Sequence, residues 1–167
     1  MKNSGRTLRR RLQLLGNRLS RIKHRKGHGV HSPFVYGFVR RVLMTKTLCE
    51  ESNSTLYNDL LAKGVAEKRA RELHNTLCYI EGQSYSINEV ECDLSILLAN
   101  YPTEQLREAY EEAKCKQVTL AICLPYLNRE RQEEVKTLLD DHRSTTIDNR
   151  AYVLFFNNHL PKQHYRL

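Results

Sequence analysis

Apolar residues recur at helical spacing in the first half of this chain and gather into short runs in the second. Leu8, Leu12, Leu15, Leu19 and Ile22 follow one another at intervals of 4, 3, 4 and 3, which places one narrow apolar stripe on a helix with arginines around the rest. Ser4 is suited to cap its start, and Gly27 and Gly29 are natural stops. Gly16 in the middle costs about 1 kcal/mol relative to alanine, so this helix needs docking to form. A second helix begins at His31-Ser32-Pro33-Phe34: Ser32 caps it, and Pro33 takes the first position, where a proline forfeits no helical hydrogen bond. Phe34, Phe38 and Val42 then share a face. A third helical region, over residues 55–75, carries Leu56, Leu60, Leu61, Val65 and Leu73, with a break expected at Gly64.

Beyond residue 76 the pattern changes. Apolar runs at residues 77–80, 94–99 and 118–122 alternate with helical patterns over 103–115 and 129–141, the sign of β-α-β units and a parallel sheet. Pro102 and Asn128 are placed to start those two helices. Residues 145–148 and 151–156, around the turn Asp148-Asn149-Arg150, read as a closing hairpin. The expected architecture is one compact α/β domain, with a helical part over residues 1–46 leaning on a small, mostly parallel sheet within residues 47–167.

Composition narrows the setting. The chain has 167 residues, enough for one domain with its own core. None of its apolar runs approaches the ~20 residues that span a bilayer, and Arg9, Arg10 and Arg11 interrupt the only leucine-containing stretch near the N-terminus, so no secretory signal is expected. Five cysteines, Cys49, Cys78, Cys92, Cys115 and Cys123, form no C-x-x-C pair. Odd in number, they argue against a disulfide framework and a structural zinc site, and a reducing cytoplasm is the expected location.

Charge is divided unevenly. Residues 1–46 hold 13 Lys/Arg and no acid, whereas the rest holds 14 Lys/Arg and all 19 acids, so the net charge of +8 resides in an arm. Arg9, Arg10, Arg11, Arg18, Arg21, Lys23, Arg25 and Lys26 suit an anionic partner, with nucleic-acid phosphate the commonest candidate. Residues 1–33 contain no aromatic side chain on which a base could stack. A plainer reading docks the leucine stripe on the body and leaves a solvated basic face. A third makes the stripe a coiled-coil seam, although barely two and a half heptads are too short to be stable alone. His24, His28 and His31 are spaced like metal ligands, but glycines between them interrupt any helix, and solvent exposure or packing is expected instead. No G-x-S-x-G elbow supports a serine nucleophile.

The run Gly27-His28-Gly29-Val30-His31-Ser32-Pro33-Phe34-Val35-Tyr36, after a basic helix, resembles the opening motif of a family of bacterial class I S-adenosylmethionine-dependent methyltransferases. The end of the chain is similar too: Thr146-Ile147-Asp148, Val153-Leu154-Phe155-Phe156 and Pro161-Lys162-Gln163-His164-Tyr165 look like that family's last two strands and tail. Residues 94–101 resemble its fourth strand, and 118–128 its fifth strand and the following helix start. The resemblance implies a Rossmann-like sheet in the order 3-2-1-4-5-7-6. Family members are longer, and the missing part falls between Glu81 and Asp93, where strands 2 and 3 would lie. A reduced sheet of about five strands, 1-4-5-7-6, is therefore expected, with strand 1 at residues 77–80.

The same resemblance places the cofactor at the carboxyl ends of strands 1, 2 and 4, where a glycine-rich turn admits the ligand and an acid holds its ribose. Here the turn would be Glu81-Gly82-Gln83-Ser84-Tyr85-Ser86, with one glycine. Glu81 reads either as the end of strand 1 or as the ribose acid. With Gly82 and Asn100, which keeps the family's polar residue, it makes up the candidate cofactor set. Leu98, Cys123 and Leu124 stand where related oxygen-methylating enzymes hold a metal, and these side chains do not suit magnesium. The leading expectation is a methyltransferase-like protein without catalysis and without a resident cofactor, retaining a binding role. The alternatives are an active S-adenosylmethionine-dependent methyltransferase with a reduced site, and a nucleic-acid-binding protein acting through the arm.

Overall fold

The computed structural model describes residues 32–49 and 55–167. The expected first helix, its eight basic residues from Arg9 to Lys26, and His28 and His31 lie outside the described residues. Among the described residues five α-helices and six strands form an α/β fold: α1 (Pro33–Phe38), α2 (Thr55–Ala62), α3 (Glu67–Tyr79), β1 (Tyr85–Ile87), β2 (Leu94–Leu97), α4 (Leu106–Lys116), β3 (Thr119–Cys123), α5 (Arg129–Asp141), β4 (Thr145–Asp148), β5 (Tyr152–Phe155) and β6 (Gln163–Arg166).

The helix starts behave as their residues dictate. Ser32 accepts from the Val35 amide at 3.4 Å with Pro33 at the first position of α1, and Asn128 accepts from the Arg131 amide at 2.7 Å to open α5. Both are N-caps satisfying a first-turn donor. α1 continues as a wider helical turn over Val39–Leu43, so Phe38 and Val42 stay buried and Phe34 packs beside them. Gly37 permits a close approach: a Cβ there would meet the Tyr79 hydroxyl at 2.6 Å, and that hydroxyl donates to the Phe34 carbonyl at 2.6 Å.

The sheet runs β1-β2-β3-β5-β4-β6. β1, β2 and β3 are parallel, β5 is antiparallel to both β3 and β4, and β6 is parallel to β4. Alternate residues serve opposite faces, as the pleat requires. Ile96, Ala121, Cys123 and Leu154 meet α1, α2 and α3, whereas Leu97, Leu120, Ile122, Val153 and Phe155 meet α4 and α5. The result is a sheet between two helical layers.

Two expectations are corrected. Residues 77–80 are not a strand: α3 runs through Tyr79 because Ala70, Leu73, Leu77 and Ile80 continue one helical stripe onto the same core, and a four-residue apolar run cannot by itself tell helix from strand. The position expected for strand 1 is taken by β1. The sheet also has six strands rather than five, since β6, expected as a tail, pairs along β4. Its residues are mostly exposed, so no apolar alternation marked it.

β1 and β2 are parallel neighbours joined by only six residues, 88–93. Parallel strands ordinarily need a crossover of a dozen residues or more, but a three-residue strand requires a return of only ~10 Å. The short link is pinned at several points. Ser86 Oγ donates to the Glu89 carbonyl at 2.8 Å, Ser95 Oγ to the Cys92 carbonyl at 3.2 Å, and Lys116 Nζ to the Val90 carbonyl at 2.6 Å. Val90 is buried against α4, so the link crosses the face that α4 and α5 also cover.

Candidate functional site

The carboxyl ends of β1, β2, β3 and β4 lie at one edge of the sheet, the edge at which open α/β sheets bind ligands when neighbouring connections leave on opposite faces. Here the connections after β1, β2 and β3 all use one face, so no divergence opens a crevice among them.

The edge instead carries polar side chains bonded to strand-end and loop backbone. Arg131, in the first turn of α5, is 1% exposed. One terminal nitrogen of its guanidinium donates to the Tyr101 carbonyl at 2.9 Å, and the other to the Leu98 and Cys123 carbonyls at 3.0 and 3.2 Å. Burial lowers its pKa, opposed by the neighbouring Cys123. The Cys123 thiol is pushed up to about 12 by burial, with Arg131 pulling the other way, so it stays protonated and is no nucleophile at neutral pH. Among the described residues no group of three His, Cys, Asp or Glu side chains converges as a metal site.

Asn88 closes the end of β1. It adopts a left-handed conformation, φ 62°, which asparagine tolerates better than most residues. Its side chain accepts from the Leu98 amide at 2.8 Å and donates to Asn100 at 3.1 Å. At the end of β4, buried Asp148 receives the Tyr126 hydroxyl at 2.5 Å and the Arg150 amide at 2.8 Å. Glu72 of α3, also buried, receives Arg69 at 2.6 Å and Asn149 at 3.5 Å, tying α3 to the β4–β5 turn.

The candidate cofactor residues are separated. Asn100 is exposed beside Asn88 at the carboxyl edge, whereas Glu81 and Gly82 precede β1 and lie at the amino edge, near Asp93 and Thr119. Glu81 is exposed at φ 57° and terminates α3: its amide bonds the Cys78 carbonyl at 3.0 Å, and the Gly82 amide bonds the Leu77 carbonyl at 2.9 Å. That pair is the Schellman arrangement, with glutamate where glycine is usual. Gly82 has no room for a side chain, since a Cβ would meet Leu77 at 2.6 Å. Of the motif residues, Ser32 and Pro33 start α1, Phe34 packs tilted on Tyr79 at 5.2 Å and edge-on to Phe156 at 5.1 Å, and Tyr36 is 47% exposed.

Arg131 and Asn88 escaped the sequence reading. Arg131 sits in the charged run Arg129-Glu130-Arg131-Gln132-Glu133-Glu134, which reads as a solvated face. The usable signal was spacing: Arg131, Val135 and Leu138 fall on one stripe, and all three are buried. Asn88 was legible only if residues 85–87 had been read as a strand.

The described residues include no helix long and apolar enough to cross a membrane. Comparison with known proteins returns no matching family model, no matching curated protein and no matching solved structure.

Proposed function

We propose that this protein is a methyltransferase-like scaffold, built on a reduced Rossmann-like sheet, that does not transfer methyl groups and acts by binding an anionic partner through its basic N-terminal segment, nucleic acid being the partner of first choice. The observation that carries the first half is Asn88 at the end of β1, whose side chain bonds the Leu98 amide and Asn100 across the β1 and β2 ends, where the resemblance puts the cofactor and where open backbone would be needed. The strand succession β1-β2-β3-β5-β4 supports the kinship, since it matches the expected 1-4-5-7-6 with β1 in first place. S-adenosylmethionine does not fit the residues present. The turn after β1, Asn88-Glu89-Val90, has no glycine, and the Asn88 side chain is engaged by the Leu98 amide and Asn100. Glu81 is spent as a helix terminator at the far edge.

The binding role rests on the 13 Lys/Arg without an acid in residues 1–46. Arg40, Arg41 and Lys46 of that stretch are exposed on the body. Fluorescence anisotropy with labelled duplex DNA and single-stranded RNA tests it. Affinity is expected to fall by orders of magnitude between 50 and 200 mM salt, on the order of 10³ where six phosphates are contacted. Replacing Arg9, Arg10 and Arg11 together by glutamine is expected to reduce the logarithmic salt slope on duplex DNA by about 2–3. Binding that ignores salt, or none at low salt, removes the nucleic-acid reading.

A further inference from the structure

At the amino edge of β2 and β3 an open groove of about 400 Å³ runs from the start of α1 to the end of α4. Phe34, Ile80 and Val118, each half-buried, line it over the buried Phe156, and Gln117, Thr119, Asn157 and Asn158 supply polar groups. Its rim carries the carboxylates of Glu81 and Asp93. Asp93 accepts from the Gln83 and Ser84 amides at 2.9 and 3.0 Å and from the Ser84 hydroxyl at 2.9 Å. These bonds hold its carboxyl below the usual range, so it is ionised at neutral pH. The cation on the rim, Lys116, is already engaged, 2.6 Å from Glu112 and 2.6 Å from the Val90 carbonyl. The groove therefore presents three half-buried apolar side chains, Phe34, Ile80 and Val118, among polar ones, beside negative charge not balanced by Lys116.

We propose that this groove is the docking site for the apolar stripe of residues 8–22 of the same chain. Phe34, in the first turn of α1, is part of the wall, so the described chain begins, at Ser32, beside the groove. Residues 23–31 separate Ile22 from Ser32, and nine residues reach about 30 Å when extended, ample to fold back. The chemistry is complementary: Leu8, Leu12, Leu15, Leu19 and Ile22 meet these apolar side chains, and arginines flanking the stripe meet Glu81 and Asp93. Residues 1–31 carry ten Lys/Arg and no acid, so no carboxylate of their own competes for the arginines. Docking also answers the marginal stability of a lone helix containing Gly16, which needs tertiary contacts to persist.

Hydrogen–deuterium exchange on the full-length protein tests the proposal. Amides of residues 8–22 are expected to exchange at least tenfold more slowly than in a synthetic peptide of the same sequence. The protection should vanish in Leu12→Asp/Leu15→Asp and weaken in Glu81→Arg and Val118→Asp. Unchanged protection of α5 in each variant certifies the fold. Peptide-like exchange in the unmodified chain overturns the proposal, as does protection that survives both groove variants, which would place the stripe elsewhere. Protection lost on dilution together with a dimer-to-monomer change in sedimentation would assign the stripe to a second copy and equally overturn it. The readout does not involve nucleic acid, so failure of the partner reading and failure of the docking reading are distinguishable.

Discussion

The two edges of the sheet use polar side chains in opposite ways. At the carboxyl edge Asn88, Arg131, Tyr126 and Asp148 bind one another's neighbours, strand-end carbonyls and loop amides. At the amino edge Glu81 and Asp93 stand on the rim of an open groove. The difference follows from topology. A crevice opens at the carboxyl edge only where adjacent connections part to opposite faces, and here the links after β1, β2 and β3 share one face. The strand ends then lie close enough for a single guanidinium to span Leu98 and Cys123. The edge where the resemblance puts the cofactor carries this bonded cluster, and the groove lies at the opposite edge.

The largest expected effect comes from breaking this cluster. Arg131→Met keeps much of the side-chain length but removes every donor, leaving buried carbonyls under-satisfied. Offset in part by no longer burying a cation, the loss should be roughly 2–4 kcal/mol, a fall in Tm of roughly 5–15 °C for a chain of this length. Thermal and urea unfolding would measure it. A change within ±0.5 kcal/mol would mean that Arg131 behaves as a surface residue and that the edge is not held by it.

A second effect sharpens the contrast through pH. His142, buried near the amino edge, faces the Tyr110 hydroxyl at 3.2 Å and the Phe156 carbonyl at 3.3 Å. A carbonyl only accepts, so Nε2 carries the proton donated to Phe156, while the Tyr110 hydroxyl faces both Nδ1 and the Asp141 carboxylate, the latter at 3.3 Å. Burial lowers its pKa below the ordinary 6.5, aided by Lys114 and Lys162 and opposed by the Phe156 bond and Asp141. His74, beside the Cys49 carbonyl at 3.4 Å, is lowered by burial as well. With folded pKa values below the unfolded one, the unfolded chain binds more protons across that window. Stability is therefore complete above about pH 7 and declines as pH falls through 6.5 toward the folded values. Urea midpoints measured from pH 8 to pH 5 should show the decline, and His142→Gln should flatten it. A midpoint that rises on acidification would contradict the assignment.

The smallest effect concerns Glu81. As the left-handed residue ending α3, it should be replaced favourably by glycine, with Glu81→Gly raising stability by about 0.5–1 kcal/mol. Destabilisation would show that the carboxylate has a partner worth more than the backbone relief.

Much of the fold was legible in the sequence because single side chains announce helix ends. Ser32-Pro33, Gly64 and Asn128 mark boundaries where the structure has them, and the hairpin around Asp148-Asn149-Arg150 forms as its turn residues indicate. Residues 77–80 misled because Leu77 and Ile80 serve a helical stripe that began at Ala70, and the true β1, Tyr-Ser-Ile, has three residues and no apolar run. β6 carries no pattern at all; it is fixed by pairing with β4, a non-local cause. The candidate site was less legible than the fold. Glu81 and Asn100 look like parts of one constellation only while residues 77–80 are a strand. Once that segment is helix, they fall at opposite edges. Arg131 was hidden because a charge in a charged run reads as solvated unless its spacing from Val135 and Leu138 is weighed.

The most direct test of the closed carboxyl edge is thermal unfolding with and without S-adenosylmethionine and S-adenosylhomocysteine at millimolar concentration. The closed edge predicts no change in Tm, with or without Glu81→Ala. A ligand present at about 100 times its dissociation constant would add ~2.7 kcal/mol and raise Tm by roughly 5–10 °C; a rise of that size would show that the cofactor enters the fold after all and that Asn88 does not close the β1 and β2 ends.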